Sequence, residues 1–352
     1  MSRRRYTYSY SPSPKRDRRV RRKPSARRGW LLVLAVVGLV GAVLARQLVA
    51  GDDGSAAARS NCWTQVACSA ERVESKSADS AGSSTGADSQ RQHEAPPSVS
   101  AAAVAVLEEP CGAIVHSFNA HAHLPPASLT KIVTALVADE RVDLAQTVHV
   151  TIDGAALTAA TDATVMGLQP GQTLGMVDLL YGLLLPSGND AALQIAQQVA
   201  GNVKAFADLM NARVAEAGLK DTHFVNPHGL DAANHYTSAY DIAVLGNLLL
   251  QKPDLAFIVG TRSYQPSWDG PRVDNLNQLL GQYPGAIGVK TGYTLTAGHT
   301  IVAAAERNGR RFIVSVLGSA DIFADATKLL DWAFASAPSS CTPGGTSQVA
   351  AR

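Results

Sequence analysis

The hydrophobic pattern changes period twice along residues 101–335, and this change constrains the fold more than any other feature. Apolar runs at 102–107 and 114–118 predict a β-hairpin, and three later strands are predicted at 287–291, 299–305 and 311–317. Helical patterns lie between them, after Ser128 and at about 174–185, 190–200, 203–217 and 238–251, with a last helix at 325–334. Residues 147–172 predict short strands and turns. We therefore expect an α/β (α+β) fold, an antiparallel sheet flanked by helices with an inserted all-helical subdomain.

Basic residues are concentrated at the amino terminus. Residues 1–29 contain 12 Lys and Arg against one acidic residue, Asp17, although the formal net charge of the 352-residue chain is only +2. The remainder is therefore acidic, which argues against a nucleic-acid partner. We interpret residues 1–29 as a basic cytoplasmic tail.

An apolar segment follows this tail. Residues 30–50 are apolar apart from glycine, Arg46 and Gln47, and about 20 such residues span a bilayer as a helix. The positive-inside rule places the tail in the cytoplasm and the rest of the chain outside, so this segment predicts a membrane anchor. A cleaved signal peptide is the alternative, since Val43-Leu44-Ala45 is a tolerable cleavage pattern. In either case the residues after 50 are exported from the cytoplasm.

Residues 51–100 are rich in Ser, Ala, Gly and Asp and predict a flexible tether, and residues 336–352 predict a disordered tail. The predicted folded domain is thus 101–335. Export is consistent with an even number of cysteines, for which we favour the pairs Cys62–Cys68 and Cys111–Cys341. Their spacing matches no metal site, and we expect neither a metal nor a cofactor.

Three polar elements interrupt the apolar pattern. Ser128 and Lys131 lie one helical turn apart on one face of a helix, where an amine with a lowered pKa can deprotonate a serine. Ser187-Gly188-Asn189 stands between two apolar helices, and Lys290-Thr291-Gly292 lies in a strand that is otherwise uncharged. Each element taken alone has a structural explanation, such as a chance match, a helix cap or a solvated edge-strand lysine.

Together, in this order, the elements resemble the S-x-x-K, S-G-N and K-T-G motifs of the low-molecular-mass D-alanyl-D-alanine carboxypeptidases, which are penicillin-binding serine peptidases of bacterial walls. The resemblance extends over about residues 101–335. It includes the stretches 126–131, 185–190, 226–230, 235–241 and 288–294.

The resemblance implies a role for each matching residue. Ser128 would attack the carbonyl between two terminal D-alanines, Lys131 would accept its proton, and Ser187 would bridge Lys131 and Lys290 and relay a proton to the departing amine. Asn189 would orient Lys131 or the substrate, and Lys290 would hold down the pKa of Lys131.

Further roles concern substrate binding. Thr291 would bind the terminal carboxylate, Gly292 would leave room for a substrate along the strand, and the N–H groups of Ser128 and Tyr293 would form the oxyanion hole. The implied partners are peptidoglycan stem peptides ending in D-Ala-D-Ala and β-lactam inhibitors, met at the outer face of a bacterial membrane. We interpret His228 as a structural turn residue.

Two departures from the family pattern stand out. Many relatives carry an arginine at the start of the last helix that supports carboxylate recognition, whereas Ile322 or Phe323 aligns there and 319–325 contains no arginine. We hypothesise that Arg310 or Arg311 substitutes for it. The second departure is that the chain leaves no room for the β-rich carboxyl-terminal domain of some relatives.

The motifs leave several activities open. D,D-endopeptidase or transpeptidase activity is an alternative to carboxypeptidase activity, since water or an amine can resolve the same acyl-enzyme. A β-lactamase is disfavoured by Gly188 in place of the motif's aspartate and by the lack of a convincing deacylating glutamate. A non-catalytic wall-binding protein is disfavoured, because it has no need for all five of Ser128, Lys131, Ser187, Asn189 and Lys290.

Overall fold

The computed structural model describes residues 94–267 and 270–337. The described strands are β1 Ala103–Glu109, β2 Ala113–Phe118, β3 Thr147–His149, β4 Thr173–Gly175, β5 Ser263–Tyr264, β6 Val273–Asp274, β7 Ala286–Thr294, β8 Gly298–Arg307 and β9 Arg310–Ser319. The described α-helices are α1 Thr130–Arg141, α2 Gly154–Thr161, α3 Met176–Leu184, α4 Asn189–Ala200, α5 Val203–Glu216, α6 Ala239–Leu250, α7 Pro253–Gly260 and α8 Ile322–Ser336.

The main sheet has five strands in the order β2-β1-β9-β8-β7, and every neighbouring pair is antiparallel. The predicted hairpin at the start of the domain forms β1 and β2. The turn at Asn308-Gly309 joins β8 to β9, as the Asn-Gly pair favours. Helices α1 to α7 all lie between β2 and β7 in the chain, so the predicted antiparallel sheet with an inserted helical subdomain is confirmed.

Apolar side chains on the two faces of this sheet enter two separate cores. One core contains α1, α3, α4 and α6 and takes side chains such as Leu107, Val302 and Ile313 from the sheet. The other lies under α8 and takes Val104, Ile301 and Val314. Strand β7 is an edge strand of the sheet, and the 3₁₀ turn that carries Ser128 contacts it. The edge of the sheet and the helical subdomain therefore meet at the serine.

Two helices were missed by the sequence analysis. Helix α2 begins with the side chain of Asp153 accepting from the Ala156 N–H, but its residues are mainly exposed Ala and Thr with little hydrophobic periodicity. Helix α7 begins with Pro253 at its first position and has only eight residues. Short helices with few buried residues give a weak periodic signal, which explains both omissions.

The amino-terminal end of the described chain contacts α8. Ser100 donates from its N–H and its hydroxyl to Asp325 Oδ2, at 3.0 and 2.7 Å, and the Glu94 carbonyl accepts from the indole N–H of Trp332 at 2.7 Å. Residues predicted as the end of a tether therefore make specific contacts with the folded domain.

Several predictions lie outside the described residues and stay predictions. They are the tail 1–29, the anchor 30–50, most of the tether 51–100, nearly all of the tail 336–352 and the pairings that involve Cys62, Cys68 and Cys341. In the described part of the chain no single helix is long and apolar enough to cross a membrane; the bent pair α6–α7, with 106° between its axes, meets the length and composition criteria together.

We predict that α1 is a stability centre of the domain. Leu136 is fully buried in the helical core, so Leu136→Ala should lower the free energy of unfolding by about 2–5 kcal/mol. Leu295, which is 91% exposed, provides the matched control, and Leu295→Ala should change the free energy of unfolding by less than about 0.5 kcal/mol. Urea unfolding of both variants measures the difference, and equal losses would contradict the assignment of the core.

Candidate active site

Ser128 lies in the middle of a 3₁₀ turn, Ala127–Leu129, directly before α1. Ala127 has a positive φ of 49°, and the hydroxyl of Thr130 donates to the Ala127 carbonyl at 2.9 Å. The Nε2 of His235 lies 2.9 Å from the same hydroxyl, while its Nδ1 accepts from the Val225 N–H. This network fixes the backbone of the turn and leaves the half-buried Ser128 side chain facing a cavity.

The amine of Lys131 has three partners. Nζ lies 3.0 Å from Ser128 Oγ, 2.7 Å from Asn189 Oδ1 and 2.6 Å from the carbonyl oxygen of His228. Two of these partners are acceptors only. A neutral amine can therefore donate its two protons to Asn189 and His228 and turn its lone pair towards the Ser128 hydroxyl.

Burial lowers the pKa of Lys131 well below the usual lysine value. The side chain is completely buried, so desolvation of the ammonium form is the largest cause, and the charge of Lys290 adds to it. The carboxylate of Asp190 acts in the opposite direction. The balance favours the neutral amine that a serine needs as its base.

Lys290 is a second buried lysine, with 1% of its surface exposed. Its Nζ donates to the carbonyl of Thr291 at 2.9 Å, and desolvation lowers its pKa to about 7. Strand β7 thus carries a cation inward, whereas a solvated edge-strand lysine would point to water. This inward position explains why the charge of Lys290 lowers the pKa of Lys131.

Ser187 and Asn189 come from the break between α3 and α4. Ser187 has a positive φ of 69°, and Asn189 is the first residue of α4. The Ser187 hydroxyl is buried and makes no hydrogen bond with any described residue, so the predicted bridge between Lys131 and Lys290 does not form in this structure. Gly188 fits tightly, since a Cβ there would lie 2.8 Å from the Gly182 carbonyl oxygen. An aspartate would not fit at this position without a shift of the backbone.

Gly292 allows β7 to approach the serine turn. A Cβ at this position would lie 2.8 Å from the backbone nitrogen of Ser128 and 2.6 Å from Thr300 Oγ1. From the sequence, this glycine is expected to leave space for a substrate along the strand. The structure adds a second reason, because any side chain would push the strand away from the nucleophile's N–H.

The predicted residues surround one cavity of about 260 Å³. It is lined by Ser128, Thr164, Ser187, Leu276, Thr291, Gly292, Tyr293, His299, Ile322 and Phe323. Lys131, Asn189 and Lys290 are buried and do not line it. A larger cavity of about 480 Å³, near Arg262 and Arg272, contains no motif residue, so the chemistry identifies the smaller one as the candidate site.

His228 is more than a structural turn residue, because its carbonyl oxygen accepts a hydrogen bond from the Lys131 amine. Asn226 Oδ1 accepts from the N–H groups of His228 and Gly229, which holds the turn in shape. The Thr134 hydroxyl in α1 donates to the Pro227 carbonyl at 2.6 Å and fastens the turn to the helix. The Asn-Pro-His-Gly stretch signals a turn, but sequence does not reveal which carbonyl faces the lysine.

Asp190 was also missed. It is fully buried and accepts from the N–H groups of Met166, Gly167, Leu168 and Ala191, at 2.8–2.9 Å. These bonds fix residues 164–168 beside the Ser187 loop, where the Asn189 N–H also donates to the Thr164 carbonyl. The signal in the sequence was an aspartate directly after the Ser-Gly-Asn motif, at the start of an otherwise uncharged helical segment.

The proposed substitution of Arg310 or Arg311 for a carboxylate-binding arginine is wrong. Both residues lie at the start of β9, where Arg310 pairs with Glu108 and Arg311 with Glu306, each at 2.7 Å. At the rise of an antiparallel strand, the cavity end of β9 is roughly 25 Å away. The aligned position at the start of α8 does line the cavity, through the apolar Ile322 and Phe323.

The fold resembles solved structures of a DD-transpeptidase and of a penicillin-binding protein. The Streptomyces K15 DD-transpeptidase is 30% identical with a TM-score of 0.66, over 69% of this chain and 100% of that one. Penicillin binding protein 6B from Escherichia coli is 32% identical with a TM-score of 0.63, over 69% of this chain and 80% of that one. The fold is therefore that of the DD-peptidases and penicillin-binding proteins.

The family profile described as D-alanyl-D-alanine carboxypeptidase, Peptidase S11, matches residues 90–321. The D-alanyl-D-alanine carboxypeptidase DacF of Bacillus subtilis is 33% identical over 243 residues, which are 65% of this chain and 61% of that protein. The chain belongs to the D-alanyl-D-alanine carboxypeptidase family, although the match spans less than two thirds of that relative's length.

We predict that Gly229 is indispensable to the turn that carries His228. Its φ is 92°, and a Cβ there would lie 1.9 Å from the Ala127 carbonyl oxygen, so Gly229→Ala combines backbone strain with a collision. Gly201, with a φ of 75° and open space around it, is the matched control. Gly201→Ala should cost about 1–2 kcal/mol of unfolding free energy. Gly229→Ala should cost about 1–3 kcal/mol more, and indistinguishable losses in denaturant titrations would refute the close approach.

We also predict a pH dependence of stability from Lys290. Its folded pKa of about 7 lies below the value near 10.4 of an unfolded lysine, so the folded state binds fewer protons and stability rises with pH between these limits. Lys290→Met should reduce this rise by up to about 1.4 kcal/mol per pH unit. The exposed Lys220 is the control position, and Lys220→Met should leave the slope unchanged. Unfolding measured from pH 7 to 10 tests this, and parallel curves for Lys290→Met and the wild type would contradict it.

Proposed function

We propose that this protein is a serine-type D-alanyl-D-alanine carboxypeptidase that removes the terminal D-alanine of peptidoglycan stem peptides through an acyl-enzyme on Ser128. The observation that carries the proposal is the 3.0 Å contact between Lys131 Nζ and Ser128 Oγ, made by an amine whose two other partners are acceptors. Membership of the family supports the choice of substrate class.

In the first step, Ser128 Oγ attacks the carbonyl carbon between the two D-alanines while its proton moves to Lys131 Nζ. The carbonyl oxygen becomes negative and accepts hydrogen bonds from the N–H groups of Ser128 and Tyr293, a type of stabilisation worth about 3–4 kcal/mol per donor. The closeness of Gly292 to the Ser128 nitrogen supports this assignment of the two donors.

The C–N bond then breaks, and the leaving amine takes a proton. We assign its delivery to Ser187, a residue of the cavity lining whose buried hydroxyl has no hydrogen bond with a described residue. As this hydroxyl gives its proton to the amine it takes one from the Lys131 ammonium, which returns to the neutral amine. A bound substrate amine would be the partner that this hydroxyl needs. Asn189 holds Lys131 in place and Lys290 lowers its pKa. Thr291, a residue of the cavity lining, binds the substrate's carboxylate through its hydroxyl.

Water then attacks the acyl-enzyme ester and gives one proton to the neutral Lys131 amine. The ester C–O bond breaks, that proton passes to Ser128 Oγ, and the shortened peptide leaves with a new carboxylate. An amine in place of water would make the chain a D,D-transpeptidase, and its likeness to the Streptomyces K15 DD-transpeptidase over that whole chain favours this second candidate. β-Lactams would acylate the same serine. A β-lactamase is less well supported, because Gly188 leaves no room for an aspartate side chain.

We further propose that the catalytic domain works outside the cytoplasm, held to the membrane by residues 30–50 or secreted after their cleavage. The basic residues 1–29 before an apolar segment support this orientation.

The direct test is release of free D-alanine from a peptide ending in D-Ala-D-Ala by the full chain in detergent. Ser128→Ala should reduce kcat at least about 10³-fold, because the nucleophile is lost. The exposed Ser117 gives the control variant Ser117→Ala, which should retain full activity. Unchanged release by folded Ser128→Ala, or no release by a folded wild type, would reject the proposal.

A further inference from the structure

The catalytic cavity has basic residues behind it but few at its surface. Lys131 and Lys290 are buried, and their amines contact protein oxygens and Ser128. Among the described residues that line the cavity, His299 is the one whose side chain can carry a positive charge. The wall beside it is formed by Ile322 and Phe323, which cannot interact with a charge.

The register of the sheet fixes where His299 lies. In β8 it is opposite Tyr293 of β7, and the two rings are in contact with 4.5 Å between their centroids. Thr291 is opposite Ile301, two pairs further along. Residues two apart in a strand point to the same side, so His299 and Thr291 lie on one face of the sheet, diagonally across two strands.

The imidazole of His299 is exposed and makes no hydrogen bond or ion pair with any residue of the described chain. Each of the other polar side chains that carry the proposed chemistry has a protein partner or, like Ser187, an assigned role. His299 is thus a free donor at the rim of the cavity, on the side of Thr291.

We infer that His299 is the side chain that recognises the terminal carboxylate of the substrate. The inference rests on the proposed function, in which the terminal D-alanine that leaves when Ser128 is acylated carries a free carboxylate on the Thr291 side. A carboxylate bound there would otherwise meet one hydroxyl and an apolar wall. An imidazolium supplies a charge-assisted hydrogen bond, which is stronger than a bond between neutral groups.

The groups around His299 and the charge of its imidazole together determine how strongly it binds a carboxylate. From β7 it faces Tyr293, with the buried Lys290 further along the strand. Thr294, the residue after Tyr293, donates its hydroxyl to Asp231 at 2.9 Å. From β9 it faces Ser319, next to which Asp321 caps α8. An imidazole changes charge between about pH 5 and 8, so carboxylate recognition should be stronger at the acidic end of this range.

A pair of substrates separates this effect from the titration of Lys131, and the His299 variants separate it from the titration of Lys290, whose pKa is about 7. The full chain in detergent is assayed from pH 5.5 to 8 with a peptide ending in D-Ala-D-Ala and with the same peptide as its carboxamide. Lys131 acts equally on both, so the ratio of their kcat/KM values reports recognition of the carboxylate alone. In the wild type this ratio should fall about tenfold as pH rises, mainly through KM of the acid.

Variants at His299 and at a matched exposed histidine sharpen the test. His299→Gln should lower the ratio at pH 5.5 about tenfold and remove its pH dependence, whereas His299→Arg should keep it high at every pH. His149, exposed in β3, gives the control His149→Gln, which should behave as the wild type.

A ratio that is independent of pH in the wild type, or that is the same in His299→Gln and His299→Arg, would overturn the inference while leaving the proposed function intact. If His299→Gln does not fold, the wild-type profile and His299→Arg still decide. Failure of the folded wild type to hydrolyse either peptide would instead reject the proposed function, and this inference with it.

Discussion

The amine of Lys131 is fully buried beside the hydroxyl of Ser128, and most features of the site follow from that burial. An ammonium without water is costly, so its pKa falls well below the usual lysine value, and the repulsion from Lys290 adds to this. The amine is not left without partners, since Asn189 and the His228 carbonyl accept its protons. A lone pair then remains for the serine.

This arrangement needs the Ser187 loop, the His228 turn and β7 to be placed around Ser128, and glycines at close backbone contacts make it possible. Gly188 brings the Ser187 loop against the Gly182 carbonyl, Gly229 brings the His228 turn against Ala127, and Gly292 brings β7 against the Ser128 nitrogen. The helical subdomain and the edge of the sheet are therefore joined at the site by close backbone contacts. Stability and function depend on the same contacts there.

The sequence predicted the order of strands and helices well, because long periodic segments such as α4, α6 and β8 carry their own signal. The three motifs identified Ser128, Lys131, Asn189 and Lys290, which the fold brings together. Sequence did not reveal the His228 carbonyl or the backbone bonds of Asp190, since such contacts depend on how a turn is placed in space. The arginine hypothesis failed because Arg310 and Arg311 lie at the wrong end of β9.

The central claim is that Lys131 carries a neutral amine when Ser128 is ready to react. Titration of the side-chain ¹⁵N resonance of Lys131, assigned by its absence in Lys131→Met, measures this directly in lysine-labelled protein. The account predicts a resonance that titrates well below the ordinary lysine value near 10.4, in agreement with the burial of the side chain. An ammonium that persists up to that value would contradict it, and the serine would then need another base.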